Sequence, residues 1–257
     1  MAARSPRSAP VPSTFAGPPA PRFSPRHRVP ILLALFALLL GVAGCAGGPA
    51  GPPPPPPLPA APELLASAAT AMAQVRTVAV DVAVDPALSS IPVRAATGKL
   101  TSAGDAIGTA TLSQGTSTVE FNFVITKGVL YLKGATGQYQ RLPLALAAGI
   151  YDPTALLSAD RGVAALLRAA TNGTTEARED VNGVPAYRIR ATLDPNLVAG
   201  IVPGLTGATS GTVWLDQASS RVLKAQIDVP NPAGGAPAPV TVTLSDFNAP
   251  VTVTPPS

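Results

Sequence analysis

Cysteine and histidine are almost absent from this 257-residue chain: the one Cys is Cys45 and the one His is His27. Everything downstream of Cys45 therefore has no disulfide, no Cys or His metal site and no imidazole for a catalytic triad. Aromatic residues are scarce, at six Phe, four Tyr and one Trp, and charged residues make up only 12%. Acids are missing from the N-terminus: none occurs before Glu63, whereas Arg4, Arg7, Arg22, Arg26 and Arg28 do. Setting those five aside leaves 13 Lys and Arg against all 14 Asp and Glu, so the formal charge of +4 belongs to the leader. A nucleic-acid surface needs basic clusters on a folded face, and that partner is not expected here. No P-loop, dinucleotide fingerprint or metal motif is present. Nor is there an apolar run of the ~20 residues that a membrane-crossing helix needs.

The longest apolar run, VPILLALFALLLGVAG at 29–44, has Arg28 before it and small residues at its end. A basic flank, a short apolar stretch and small terminal residues make a secretory signal, assigned to 1–44. Val42-Ala43-Gly44-Cys45 resembles a bacterial lipobox, which implies a diacylglyceryl thioether and an N-acyl chain on Cys45. Two or three acyl chains hold a soluble domain stably at a membrane, where one does not. The expected location is the outer face of the plasma membrane, lipid-anchored; an ordinary secretory signal with a chance Cys is the alternative. The 28-residue basic leader is long for such a signal, which leaves the true start codon open.

Residues 45–61 carry no charge and include six consecutive prolines at 52–57. Such a run favours polyproline II at ~3.1 Å per residue, a semi-rigid tether. A ligand for a proline-binding domain is the other reading of the same composition.

Residues 62–257 form one domain with enough chain for a single core. Leu64, Ala68, Ala71 and Val75 follow Pro62 at helical spacing and predict a helix over 62–75. Alternating valines predict a strand over 76–85. Val119, Phe121 and Phe123 alternate with Thr118, Glu120 and Asn122, the pattern of a strand with one buried and one wet face. A strand at 129–133 follows the Lys127-Gly128 turn. Tyr151-Asp152-Pro153 predicts a capped short helix at 154–158, and Val163, Leu166, Leu167 and Ala170 a second at 160–170, ended by Asn172-Gly173. Strands at 174–181 and 184–193 flank Asn182-Gly183, a two-residue hairpin signal. Asp194-Pro195 caps another helical turn, and strands follow at 212–217, 222–229 and 240–247, with a weaker one at 251–254. The order reads as α+β, a large antiparallel sheet with a few helices.

These blocks resemble the LppX/LprAFG family of actinobacterial lipoproteins, most closely its LprG type. The likeness rests on the lipobox VAGC at 42–45 and, in order over residues 62–254, on the helix Pro62 to Val75, TVEFNFVITKGVLYLK, IYDP with the apolar helix after it, EAREDVNGVPAYRIR, TVWLD and VTVTLSDF. The longer tether, the extra leader and the Pro- and Gly-rich stretch 230–239 depart from the pattern. The resemblance implies a strongly curved antiparallel β half-barrel with helices packed on its concave face, enclosing an apolar cavity. It implies a carrier of acylated lipids and glycolipids, of the triacylated phosphatidylinositol mannoside, lipoarabinomannan or triacylglycerol type. It also implies an exporter of the major facilitator class as partner, and no cofactor beyond the lipid ligand and the acyl chains on Cys45.

The composition suits a container: rich in Ala, Val and Leu and poor in large rings, it leaves space on a broad sheet. Ala110 matches by position a cavity-mouth residue of the family. Val119, Phe121, Phe123, Leu130 and Leu132 are candidates for the cavity's sheet side, and Leu166 and Leu167 for its helical side; each is equally readable as ordinary core. Arg188 and Arg190 alternate with Tyr187 and Ile189, so they share a side and are candidates for an anionic head group, against plain outward-facing charges. Glu176, Glu179 and Asp180, mixed with Arg178, read as a solvated face. An exported regulatory or assembly lipoprotein acting through protein partners is the alternative function. An enzyme would have to rest on paired carboxylates, and no such constellation stands out.

Overall fold

A computed structural model of the chain describes residues 56–256 other than 116, 148–154, 202–209 and 232–233. The signal segment, Cys45, most of the tether and the expected Tyr151-Asp152-Pro153 cap lie outside the described residues. From residue 55 onward the chain is one compact unit.

Eleven strands make a single sheet: β1 (Thr77–Val84), β2 (Val93–Thr101), β3 (Ala106–Gln114), β4 (Ser117–Thr126), β5 (Val129–Lys133), β6 (Gln140–Pro143), β7 (Thr171–Val181), β8 (Val184–Thr192), β9 (Ser210–Asp216), β10 (Val222–Val229) and β11 (Ala238–Ser245). Their order is β6-β5-β4-β3-β2-β1-β11-β10-β9-β8-β7, and every pairing is antiparallel. Strands β6 and β7 end the order and do not pair with each other, so the sheet is unclosed. A sheet of this width curls, because each strand pair adds its twist of roughly 20–25°. Four helices accompany it: α1 (Ala61–Ala73), α2 (Leu144–Ala147), α3 (Val163–Ala169) and α4 (Pro195–Ile201).

Helix α1 starts as its sequence dictates, with Pro62 in the first turn and Glu63 beside the positive end of the helix dipole. Its apolar side, Leu65, Ala68, Ala69 and Met72, is buried. These residues share one cluster with Ala164 and Leu167 of α3 and with Val78, Val80, Leu100, Ile125, Ile189, Leu215, Val222 and Leu244 of the sheet. A second cluster joins Val84, Val240, Ile227 and Val229 to Leu88 and Ile91 of the β1–β2 loop and Val198 of α4. Val82, Leu166 and Ala170 touch both clusters.

The local signals act largely as read. Asn182 and Gly183 take φ of 51° and 82°, the left-handed pair that a two-residue hairpin requires. The Asp194 carboxylate accepts from the N–H groups of Asn196 at 2.8 Å and Leu197 at 3.3 Å, capping α4. Three expectations change. Asn172-Gly173 does not separate helix from strand: β7 already begins at Thr171, and Asn172, at φ 53°, lies where the β7–β8 register shifts. The helix expected over 160–170 begins only at Val163, because residues 155–162 turn on short-range bonds such as Gly162 N–H to the Ser158 carbonyl at 2.9 Å. Residues 251–254 form no strand. Strands β2 and β6 carry no clean alternation and were not separately legible.

At the base of the tether, the Arg178 guanidinium donates to the carbonyls of Pro56 and Pro57, both at 2.9 Å, and lies 5.5 Å from the Tyr187 ring. Proline offers only a carbonyl for such bonds, and an arginine side chain suits it.

Strands β2 and β3 approach closely where Gly98 and Gly108 are register partners. A Cβ on Gly108 would stand 2.0 Å from the Thr97 carbonyl oxygen and 2.9 Å from Phe123 Cζ. The Phe123 ring thus lies over the space two missing side chains leave, a cross-strand rescue of glycine. Gly108→Val should destabilise the domain by about 2–3 kcal/mol, as overpacking does, lowering the melting temperature by roughly 5–10 °C. Thr111→Val, on the other face of the same strand, should stay within about 0.5 kcal/mol. Circular-dichroism melts of the two variants check both values.

Candidate functional site

Residues paired by register in an antiparallel sheet share a face. On the face that meets the helices, four rows cross β2 to β5. The first is Leu100-Ala106-Ile125-Leu130, the second Gly98-Gly108-Phe123-Leu132, the third Ala96-Ala110-Phe121, and the last Leu112-Val119. All six strand residues singled out from the sequence therefore lie side by side on this face: Ala110, Val119, Phe121, Phe123, Leu130 and Leu132.

Their cover is graded along the strands. In the first row Leu100, Ala106 and Ile125 are fully buried and belong to the helix-capped cluster, with Leu130 against it. Phe123 also touches that cluster. Further along, Ala96, Ala110, Leu112, Val119, Phe121 and Leu132 are only half-buried, and they fall in neither cluster although they share the face. In the two middle rows β2 and β3 contribute nothing larger than alanine, while β4 contributes phenylalanine. A floor of Ala and Gly beside Phe is apolar, and over the glycine pair the Phe123 ring occupies the room that the missing side chains leave.

From the helical side, Leu167 is buried in the first cluster. Leu166 is half-buried and bridges the two clusters.

Arg188 and Arg190 lie on the opposite face. Their register partners, Trp214 and Thr212, alternate with Val213, which packs against the helix-capped cluster. Arg188 Nε donates to Glu176 Oε2 at 3.0 Å and its terminal nitrogen to Glu179. Glu179 also accepts from Trp214 Nε1 at 2.8 Å, and Lys224 Nζ sits 4.5 Å from the Trp214 ring. Arg190 pairs with Asp228 at 2.9 Å, and Ser210 and Gln226 donate to the same carboxylate. The geometry favours outward-facing charges over head-group ligands for this pair. With about a third of each side chain exposed in the Arg188 pairs, each contributes no more than about 1 kcal/mol.

Arg94 was not singled out from the sequence. It donates to the carbonyls of Asp85 at 3.4 Å and Leu88 at 2.8 Å, and also to that of Ile91, while its Nε is buried without a partner. These bonds close the β1–β2 loop over the second cluster. No pattern in the sequence announces a cation whose acceptors are backbone carbonyls.

Among the described residues, no three His, Cys, Asp or Glu side chains stand close enough to hold a metal, and no helix is long and apolar enough to cross a membrane. A hollow of about 270 Å³ opens on the helix-free face between β1, β2 and β11, lined by Asp81, Thr97, Lys99, Thr243 and Ser245 among others. It is smaller than an ordinary small-molecule site.

Known proteins share this arrangement. A family model of the LppX_LprAFG lipoprotein matches residues 60–253. The chain is 35% identical over 178 residues to the lipoarabinomannan carrier protein LprG of Mycolicibacterium smegmatis, covering 66% of this chain and 72% of that one. Crystal structures of two relatives superpose on it. LprF from Mycobacterium bovis does so with a TM-score of 0.69 at 26% identity, over 78% of this chain and 99% of LprF. LppX from Mycobacterium tuberculosis does so with a TM-score of 0.54 at 22% identity, over 75% and 99%, a likeness of fold alone. With the family model spanning the whole sheet and its helices, the chain belongs to the LppX_LprAFG family of lipoproteins.

Proposed function

We propose that this protein is a membrane-anchored carrier that takes the acyl chains of lipids and glycolipids between its sheet and its helices and helps move them across the cell envelope. The observation that carries the reading is the uncovered apolar face of β2 to β5. Half-buried Val119, Phe121 and Leu132 stand beside an Ala and Gly floor on a face whose remainder is sealed by helices. Apolar side chains left half-exposed at one end of an otherwise covered face invite a ligand that covers them.

The energetics suit long chains. Burial is worth roughly 25 cal/mol per Å², so an acyl chain losing on the order of 300 Å² of water contact gains ~7 kcal/mol without a polar contact. In this reading the sheet is a half-barrel and the helices pack on its concave side, enclosing an apolar cavity with Ala110 at its mouth. The cargo is an acylated glycolipid of the triacylated phosphatidylinositol mannoside or lipoarabinomannan type, or triacylglycerol, in line with the name of the 35%-identical LprG. The diacylglyceryl and N-acyl chains on Cys45 hold the carrier at the outer face of the plasma membrane, and an exporter of the major facilitator class hands it lipid. No bond of the cargo is broken, so the carrier is not an enzyme and uses no cofactor.

Protein purified from its native envelope should carry acylated lipid visible by native mass spectrometry. Ala110→Trp should cut that occupancy several-fold while leaving the melting temperature of the delipidated protein within a few degrees. Equal loading of the variant would remove Ala110 from the mouth, and a native protein with no lipid, unable to take any up, would sink the carrier reading. Separately, Cys45→Ser should abolish incorporation of labelled palmitate and shift the exported protein from the membrane to the soluble fraction, read by autoradiography and fractionation.

A further inference from the structure

The flank of the sheet that ends in β6 combines basic residues with exposed apolar side chains. Residues 121–147, which run from within β4 through β5 and β6 to α2, contain Lys127, Lys133 and Arg141 and no carboxylate. Two tyrosines lie among them: Arg141 stands 5.4 Å from the Tyr131 ring and Lys133 5.7 Å from the Tyr139 ring. Among the described residues, four large apolar side chains are more than a third exposed: Leu142 at 37% and Leu146 at 77% are on this flank, and Ile107 at 39% is on β3, on the face opposite Leu142. Ile107 is register partner to Lys99 on one side and Val124 on the other, and Val124 to Tyr131. Two acids border the patch, Glu120 on β4 and Asp105 just before β3. Every residue of β6 is exposed.

An edge strand is commonly guarded by a cation and a proline, and Arg141 and Pro143 serve β6 in that way. Guarding does not call for Leu142 and Leu146 in water beside them. Lysine and arginine without acids, tyrosines under the cations, and leucines standing clear of the fold are the side-chain chemistry of a bilayer interface.

We infer that the β5–β6–α2 edge docks on an anionic phospholipid bilayer, with Leu146 entering the interface and Lys127, Lys133 and Arg141 meeting lipid phosphates. The inference rests on the carrier reading in one respect: it supplies that reading with the surface that turns the open β2 to β5 face toward its source of lipid.

Once Cys45 is acylated, the thiol of Leu146→Cys is the only one in the chain and takes a single environment-sensitive fluorophore. The lipidated full chain carrying it is reconstituted on phosphatidylcholine vesicles with and without phosphatidylglycerol. The emission should shift to the blue on the anionic vesicles alone, whereas the same label at Gln226→Cys, on the outer face of β10, should stay aqueous on both. Each cation near an anionic surface contributes about fivefold to the docked-to-free ratio, so K127Q/K133Q/R141Q should lower it about a hundredfold. Four results overturn the inference: no shift on either vesicle, an equal shift on pure phosphatidylcholine, an undiminished shift in the triple variant, or a shift that appears only when a membrane protein is added. Acyl-lipid loading from detergent micelles, followed by native mass spectrometry, is read on the same samples. Its failure counts against the carrier reading and leaves the vesicle result standing, and a missing vesicle shift with normal loading counts against the docking surface alone.

Discussion

The pairing of β1 with β11 holds the rest of the molecule in place. Every other pairing in the sheet joins strands that follow one another in the chain, from β1 out to β6 and from β7 in to β11. Remove the six register pairs from Ala79↔Ser245 to Val84↔Val240 and two separate meanders remain, of six strands and of five. That contact closes a loop over most of the domain, a closure whose entropy cost must be repaid by burial. The repayment is visible in the side chains. Val80, Val84, Val240 and Leu244 are buried where the meanders meet, and Val82 touches both clusters. Helix α1 lies across the junction's cluster with its partner α3, so the helical cover depends on the same seam.

From that seam the two halves of the helix-facing side diverge. On the β8 to β11 side, Ile189, Val222, Leu215 and Val240 are at or near zero exposure, the signature of finished core. On the β2 to β5 side the same face is made of smaller residues on two strands and stays half-open away from α1. The two halves thus differ in packing: one is closed core, and the other carries smaller side chains and stays half-exposed. Charge follows a similar partition, since the ion pairs of Arg188 and Arg190 and the Trp214–Lys224 contact are all on the helix-free face of β8 to β10.

Much of this was legible in the sequence because the signals were local. The alternation Val119-Phe121-Phe123 named the face that β4 turns to the helices, the Asn-Gly pair named its hairpin, and Asp194-Pro195 named its helix. What escaped depended on partners far away in the chain. The sequence pattern put Arg188 and Arg190 on a common side but did not say which, because that choice is made by Trp214 and Asp228, across one and two strands. Arg94 escaped because backbone carbonyls leave no residue-type signature. Asn172-Gly173 looked like a helix stop and is a register shift inside a strand, since the same left-handed backbone serves both. Strand β6, four residues with a proline and no alternation, exists because β5 offers it a free edge.

The width of the sheet and the reach of the tether together constrain how such a molecule meets a membrane. Arg178 fixes the base of the tether beside β7, at one end of the strand order, while β6 and its cations end the other. Ten spacings at ~4.8 Å would put these ends about 48 Å apart in a flat sheet. As the polyproline II that their sequence favours, the ten residues between Cys45 and Pro56 would reach only about 31 Å. With the proposed anchor at Cys45, a flat sheet standing on β6 would therefore lift β7 beyond the reach of the tether. Bent through a half-turn, the same strands bring the two edges to about 31 Å from each other and into one plane, with the apolar side of β2 to β5 between them. In the proposed carrier, curvature would do two things at once: make room for an acyl chain, and allow the tethered edge and the basic edge to rest on the same surface.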